Sequence, residues 1–279
     1  MGGGGDLSPP RRDASGVLVR VPARPARIVS LVPSITEILF ALGLEGRIAG
    51  VTIFCSQPPD QVARTPKVGR EKDPDVARIR ALEPDLIVAN IEENRRDVVE
   101  ALRTSGLSVW VTFPRTVAEG IALIGELGAL TGTAPAAAEL VGALEKAHAR
   151  TLARVAARSR SRVFCPIWRN PYMTVNHDTY VNDMLRVCGG DNVFAASDGR
   201  YPTVTLEDVR AAAPDVILLP DEPYRFRHAH RADFAAYGEV PAVRSGRVHL
   251  VDGKWLSWYG PRIGEALDRL SALLTGDAA

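Results

Sequence analysis

Apolar positions along the chain follow two rhythms. Short runs at Arg27–Val32 (RIVSLV), Arg47–Thr52, Asp85–Ala89 (DLIVA) and Ser108–Thr112 (SVWVT) are nearly continuous, as strands buried on both faces are. Between them, apolar residues recur at steps of three and four. Ile35, Ile38, Leu39 and Leu42 form one such set, Val98, Val99 and Leu102 a second, and Val117, Ile121, Ile124 and Leu127 a third. These spacings predict helices after Pro33, over 94–105 and over 116–130, with a shorter one over 75–82. Ser34 or Thr36 is the expected cap of the first helix, and Gly43 its C-terminal stop. The longest amphipathic stretch is Pro135–Arg158. Leu140, Leu144, Ala147, Thr151 and Val155 draw its apolar stripe. Pro135 suits a first helical turn, and Arg150, Arg154 and Arg158 gather near the C-terminal end, as the helix dipole favours.

After this helix the pattern restarts. Strands are predicted over 162–167, 215–219 and 247–251, helices over 179–187 and 260–274, and a helical turn over 234–240. The restart is also an echo. Ile79–Ala89 reads IRALEPDLIVA and Val209–Leu219 reads VRAAAPDVILL; each is a helix end, a Pro-Asp turn and an apolar strand. Ser34–Gly43 and Tyr180–Gly189 share apolar spacing and a terminal Gly. Strands alternating with helices predict an α/β fold with mainly parallel sheets. The expected organisation is a disordered tail (1–15), an N-terminal lobe (16–132), a connecting helix (133–160) and a C-terminal lobe (161–279). A ligand is expected in a cleft between such lobes.

Composition narrows the function. With 46% hydrophobic residues among 279, the chain can build sizeable cores. Its net charge of +1 provides no global field for nucleic acid or an anionic membrane. No apolar run is long enough to insert into a membrane, and a monomer is expected. Cys55, Cys165 and Cys188 form no CxxC pair, which leans toward a reducing compartment. The polar, Gly-rich start lacks a signal core and a lipobox-like cysteine. The location expected from these features is the cytoplasm, or the periplasm or cell envelope if a signal has been removed. No P-loop, nucleophile elbow or HExxH motif is present. His228 and His230 would share one side of an extended segment and, with Glu222 or Asp221, could ligate a metal. The spacing is not a standard zinc pattern.

Four segments in order, RIVSLVPSITEILFALG, TPKVGREKDPDVARIRALEPDLIVAN, VCGGDNVF and TLEDVRAAAPDVILLPDEP, resemble the cobalamin and ferric-siderophore substrate-binding proteins of ABC importers. The likeness is greatest to the cobalamin-binding members. It implies two Rossmann-like lobes joined by one long rigid helix. It implies no intrinsic cofactor, a corrinoid or ferric siderophore as ligand, and importer membrane subunits as partners. By the same resemblance Phe54, Trp168, Tyr201 and Trp255 line the cleft. Two positions depart from the family's aromatics, holding Glu71 and Asn90 instead. Arg169, Arg225, Glu222 and Tyr224 would add polar groups, with Arg169 or Arg225 able to fork onto an anion. For docking to the importer, Glu207 matches a family glutamate. The corresponding place in the first lobe is Ala77, with Asp75 the nearest acid. Two other readings stay open: a cytoplasmic metal or metal-chelate carrier built on Glu71, Glu222 and the two histidines, and an enzyme with Glu71 as its acid/base.

Overall fold

The structure, a computed structural model, describes residues 7–276, so the first part of the expected tail lies outside it. The chain divides into two compact units. The first comprises 1–114, 120–143 and 259–261; the second comprises 115–119, 144–258 and 262–279.

In the first unit, β1 (Arg11–Arg12) and β2 (Leu18–Val19) form an antiparallel hairpin. Then follow β3 (Ile28–Ser30), α1 (Pro33–Ala41), β4 (Ile48–Val51), α2 (Pro59–Arg64), α3 (Val76–Ala81), β5 (Leu86–Asn90), α4 (Arg96–Thr104) and β6 (Val109–Thr112). Helix α5 (Val117–Thr131) follows and belongs to this unit apart from its first turn. The sheet is parallel, in the order β4-β3-β5-β6. Val29, Ile87 and Val109 on its strands pack with Ile79 of α3 and Val99 and Leu102 of α4. That burial explains why the strands read as unbroken apolar runs.

Two expectations change here. Residues 7–15 were expected within a disordered tail. Instead Leu7 bridges Pro22, and the Ala14 N–H bonds the Val111 carbonyl at 3.0 Å. The Asp13 carboxylate fixes this segment, accepting from the Val111 N–H at 3.0 Å and from Arg103 at 2.5 Å. Nor do Ser34 or Thr36 cap α1. Val32 occupies the cap position without a side-chain bond, and Thr36 Oγ1 donates back to the Val32 carbonyl at 3.0 Å. Pro33 in the first turn removes one of the N–H groups that a cap would have served. Gly43 does close the helix, at φ 72°.

Helix α6 (Ala134–Ala156) is continuous, and its residues belong to the first unit up to Ala143 and to the second from Leu144. The second unit then holds β7 (Ser161–Phe164), β8 (Tyr172–Met173), α7 (Tyr180–Val187), β9 (Gly190–Asn192), β10 (Thr203–Val204), α8 (Leu206–Ala212) and β11 (Val216–Pro220). After these come α9 (Pro241–Arg244), β12 (Val248–Val251), α10 (Lys254–Ser257) and α11 (Ile263–Thr275). Its parallel sheet runs β12-β11-β7-β9. Counting strands within each sheet from its first, both units have the order 2-1-3-4, so the echo in the sequence is an echo in topology. The helical turn expected over 234–240 is displaced. A 3-10 helix spans His228–Phe234 and α9 begins at Pro241, whose ring suits a first helical turn.

Candidate ligand-binding site

In open parallel sheets, ligands bind beyond the carboxyl ends of the strands. Each unit has such an edge. In the first, the chain leaving β4 carries Thr52, Ile53 and Phe54. Ile53, Phe54 and Ile91, which follows β5, are 47%, 52% and 43% exposed. The Arg70 guanidinium lies 6.0 Å from the Phe54 ring centre. Glu71 is half-buried, and its Oε1 accepts from Thr52 Oγ1 at 3.2 Å. Burial pushes its carboxyl above the usual range; hydrogen bonds and the charges of Lys72 and Arg70 only partly oppose this. Asn94 braces the same loop, donating to the Glu71 carbonyl at 3.0 Å while accepting from the Asn90 N–H at 2.8 Å.

Asn90, expected to line the ligand, is buried. Its Nδ2 donates to the Tyr259 hydroxyl at 2.9 Å and its Oδ1 accepts from the Glu92 N–H at 2.8 Å. It therefore holds the loop after β5 instead of presenting a polar surface.

In the second unit, Trp168 follows β7 and bridges Met173, which also pairs with Thr203 of β10. This small antiparallel platform carries Trp168 and the segment leading from Tyr201. Their side chains are 45% and 40% exposed. Tyr224 meets the Trp168 ring edge-on at 5.6 Å and that of Phe226 at 4.8 Å. Glu222 is half-buried after β11, with Lys254 Nζ at 3.8 Å. Burial raises its carboxyl, and Lys254 partly opposes the shift. Gly253 is required beside it, since a Cβ there would lie 2.5 Å from Glu222 Cγ. Trp255, two residues on, is half-buried. Arg169 does not offer its fork to a ligand. Its Nε and Nη2 grip Asp233 at 2.6 and 3.0 Å, and Tyr172 donates to the same carboxylate at 2.5 Å. Arg225 is exposed on an open groove of about 710 Å³ shared with Asp221, His228 and Asp252.

The histidine metal site is not formed. His228 starts the 3-10 helix, so the extended spacing that would align it with His230 is absent. His230 Nδ1 accepts from the Arg227 N–H at 2.9 Å, and its ring packs 5.7 Å from both Tyr224 and Phe226. Among the described residues no group of three His, Cys, Asp or Glu side chains could hold a metal. Of the docking candidates, Glu207 is an exposed first-turn residue of α8 that pairs with Arg210 at 2.7 Å. Asp75 caps α3, accepting from the Arg78 N–H at 2.9 Å.

Sequence reasoning passed over Ile53 and Ile91. Each lies within two residues of a strand end, and an apolar residue just beyond the carboxyl end of a predicted strand was the available signal.

Two parallel α/β units with apolar and aromatic side chains exposed at their strand ends define a binding protein for a small molecule. Residues 28–254 match the family described as periplasmic binding protein, and the chain belongs to that family. It is 30% identical to an uncharacterised ABC transporter substrate-binding lipoprotein, YvrC of Bacillus subtilis (strain 168), over 95% of this chain and 85% of that protein. Among solved structures it is similar to the periplasmic vitamin B12 binding protein BtuF of Vibrio cholerae. There the TM-score is 0.81 and identity 25%, covering 90% of this chain and 96% of that one. It is also similar to the periplasmic heme-binding protein BhuT, solved with two hemes. That match has a TM-score of 0.78 and 28% identity, covering 89% and 98% of the two chains.

These relatives correct the cytoplasmic location expected above, because they are periplasmic proteins or a lipoprotein and point to the periplasm. The thiols had suggested otherwise. All three cysteines are buried and unpaired, and burial pushes Cys165 and Cys188 up to about 12. Buried thiols of this kind are unreactive in any compartment, so their being unpaired carries no information about location.

Proposed function

We propose that the chain is the ligand-binding component of an ABC importer, working in the periplasm or cell envelope. Its cargo is a large, metal-bearing molecule: a vitamin B12-type corrinoid, a heme or a ferric siderophore. One observation supports this most. Ile53, Phe54 and Ile91 on one unit are exposed beyond the carboxyl ends of parallel strands; on the other, Trp168 is exposed beyond β7 and Tyr201 just before β10. On each unit, large apolar side chains left in solvent mark a binding surface, and aromatic faces give contact area at little cost in side-chain entropy.

The metal arrives inside the cargo, and the chain carries out no covalent step. Glu71 acts at the rim of the ligand. Glu207 contacts the membrane subunits, as the resemblance implies, while Asp75 is committed to capping α3 and serves less well as an anchor. Helix α6, about 35 Å long at 1.5 Å per residue, is a stiff connector between the units.

Absorbance titration of the purified protein with cyanocobalamin, hemin and ferric siderophores tests the reading. Micromolar or tighter binding of one class supports it, and no affinity for any of them overturns it.

A further inference from the structure

Glu71 lies between the loops beyond β4 and β5. On one side the Ile53 N–H donates to the Gly69 carbonyl at 2.9 Å, so residues 69–71 run beside the chain leaving β4. On the other, Asn94 donates to the Glu71 carbonyl at 3.0 Å. These are the loops that carry Ile53, Phe54 and Ile91, the exposed apolar side chains of the first unit's ligand face. The two cations flanking Glu71 in sequence are turned elsewhere. The Lys72 ammonium donates to the Glu92 carbonyl, and the Arg70 guanidinium lies 6.0 Å from the Phe54 ring centre.

The Glu71 carboxylate ends a chain of buried polar side chains. Thr52 Oγ1 donates to Glu71 Oε1 at 3.2 Å and lies 3.2 Å from Cys55 Sγ. The thiol is 3.1 Å from Thr36 Oγ1, which lies 2.9 Å from Ser30 Oγ. Ser30, Thr36 and Thr52 are fully buried, and Cys55 nearly so. Burial pushes the Cys55 thiol up, which keeps it protonated and the chain uncharged. Buried hydroxyls and thiols that bond one another hold fixed orientations, so Thr52 meets Glu71 with its donor already set. The protein's own donors to the carboxylate are thus neutral: Thr52 and the Glu71 N–H. A half-buried carboxylate held this way keeps acceptor capacity for a ligand.

We propose that Glu71 selects the cargo by the chemistry of its rim, accepting hydrogen bonds from carboxamide N–H groups and repelling carboxylates. A hydrogen bond to an ionised acceptor is stronger than a neutral one, and like charges brought together at an interface disfavour the wrong partner. Thr52 is a positioning residue that acts through Glu71, and Thr36 and Cys55 order Thr52 in turn. The inference rests on the proposed function and names the ligand class of that same site: metal-bearing macrocycles edged with amides, as a corrinoid is, over those edged with carboxylates, as a heme is.

The test compares ligands with the same ring and metal but different rims. Wild-type protein is titrated with cyanocobalamin and with each of its monocarboxylic acids, in which one side-chain amide is hydrolysed. It is also titrated with hemin and with the hemin bis-amide, whose two propionates are propionamides. The amide member of at least one pair binds roughly tenfold tighter, the yield of one hydrogen bond to a charged group. The preference disappears in E71Q, which keeps the shape and loses the charge, chiefly because the carboxylate member gains affinity. It shrinks in T52V and is retained in T52S. Equal affinities within every pair, or tighter binding of the carboxylate member, overturn the inference and leave the proposed function standing. So does a preference that survives in E71Q, and so does binding of ferric siderophores alone. An unchanged preference in T52V overturns the positioning role of Thr52. Should E71Q not fold, the wild-type comparison and T52V decide. Failure of every ligand to bind, siderophores included, overturns both the inference and the proposed function.

Discussion

The Asp85 carboxylate accepts the main-chain N–H of Arg27 at 2.9 Å, while the Asp85 N–H donates to the Arg27 carbonyl at 3.0 Å. The Arg27 side chain in turn donates to the Leu82 carbonyl at 2.6 Å. In the second unit Asp215 and Arg162 repeat this arrangement. The carboxylate accepts at 2.9 Å, the Asp215 N–H donates at 2.8 Å, and the Arg162 side chain donates to the Ala212 carbonyl at 2.7 Å. The Pro-Asp turn thus ties the start of the third strand of each sheet to the start of the first. It sits at the opposite end of the strands from the ligand faces, so its role is structural.

Replacing Asp85 or Asp215 by Ala is expected to lower stability by about 1–2 kcal/mol each. D85A has the larger effect, because Asp85 also accepts from the Ala26 N–H at 2.7 Å. Thermal unfolding checks the order. Ligand affinity of the folded fraction stays unchanged.

Phe54→Ala, Trp168→Ala and Tyr201→Ala are each expected to weaken ligand binding by about 1–2 kcal/mol with little change in Tm, since these side chains are exposed. Asn90→Ala behaves in the opposite way. It removes the hydrogen bonds that Asn90 makes with the Glu92 N–H and the Tyr259 hydroxyl, so Tm falls. Parallel titration and melting curves separate the two classes.

Glu71 makes stability pH-dependent in a defined direction. Burial raises its folded-state pKa above the ordinary 4.5, so between these values the folded chain binds more protons than the unfolded chain. Its contribution is therefore present below pH 4.5 and is lost as pH rises through the raised value. Glu71→Gln is expected to stabilise the protein at pH 7 by less than about 1 kcal/mol, given partial solvent screening, and to be neutral near pH 4. Melting curves at the two pH values decide this.

Gly253→Ala would place a Cβ 2.7 Å from the Glu222 carbonyl and 2.8 Å from its nitrogen, and backbone atoms cannot yield cheaply. A loss of about 1–3 kcal/mol is expected. Weaker ligand binding through the displaced Trp255 loop is expected with it.

Glu207→Ala is expected to leave ligand affinity intact and to lower uptake in cells that depend on this protein, by roughly tenfold if the residue anchors docking. Unimpaired uptake would remove Glu207 from the interface.

Seven of the eight strands in the two parallel sheets, most of the helices and the doubled topology are legible in the sequence; β9 is not. Those signals are local: an apolar run, a step of three or four, a Pro-Asp turn, a helix-closing Gly. The sequence also pointed to Phe54, Trp168 and Tyr201, and all three side chains are exposed. Only the tertiary structure decided which polar residues are already committed. Arg169 reads as a free fork until Asp233, 64 residues away, takes both its arms. Asn90 reads as a departure in the ligand surface until Tyr259, 169 residues on, draws its amide inward. His228 and His230 read as a pair until the backbone between them coils. Charge and hydrogen-bond pairing depend on neighbours in space, and no periodicity along the chain records them.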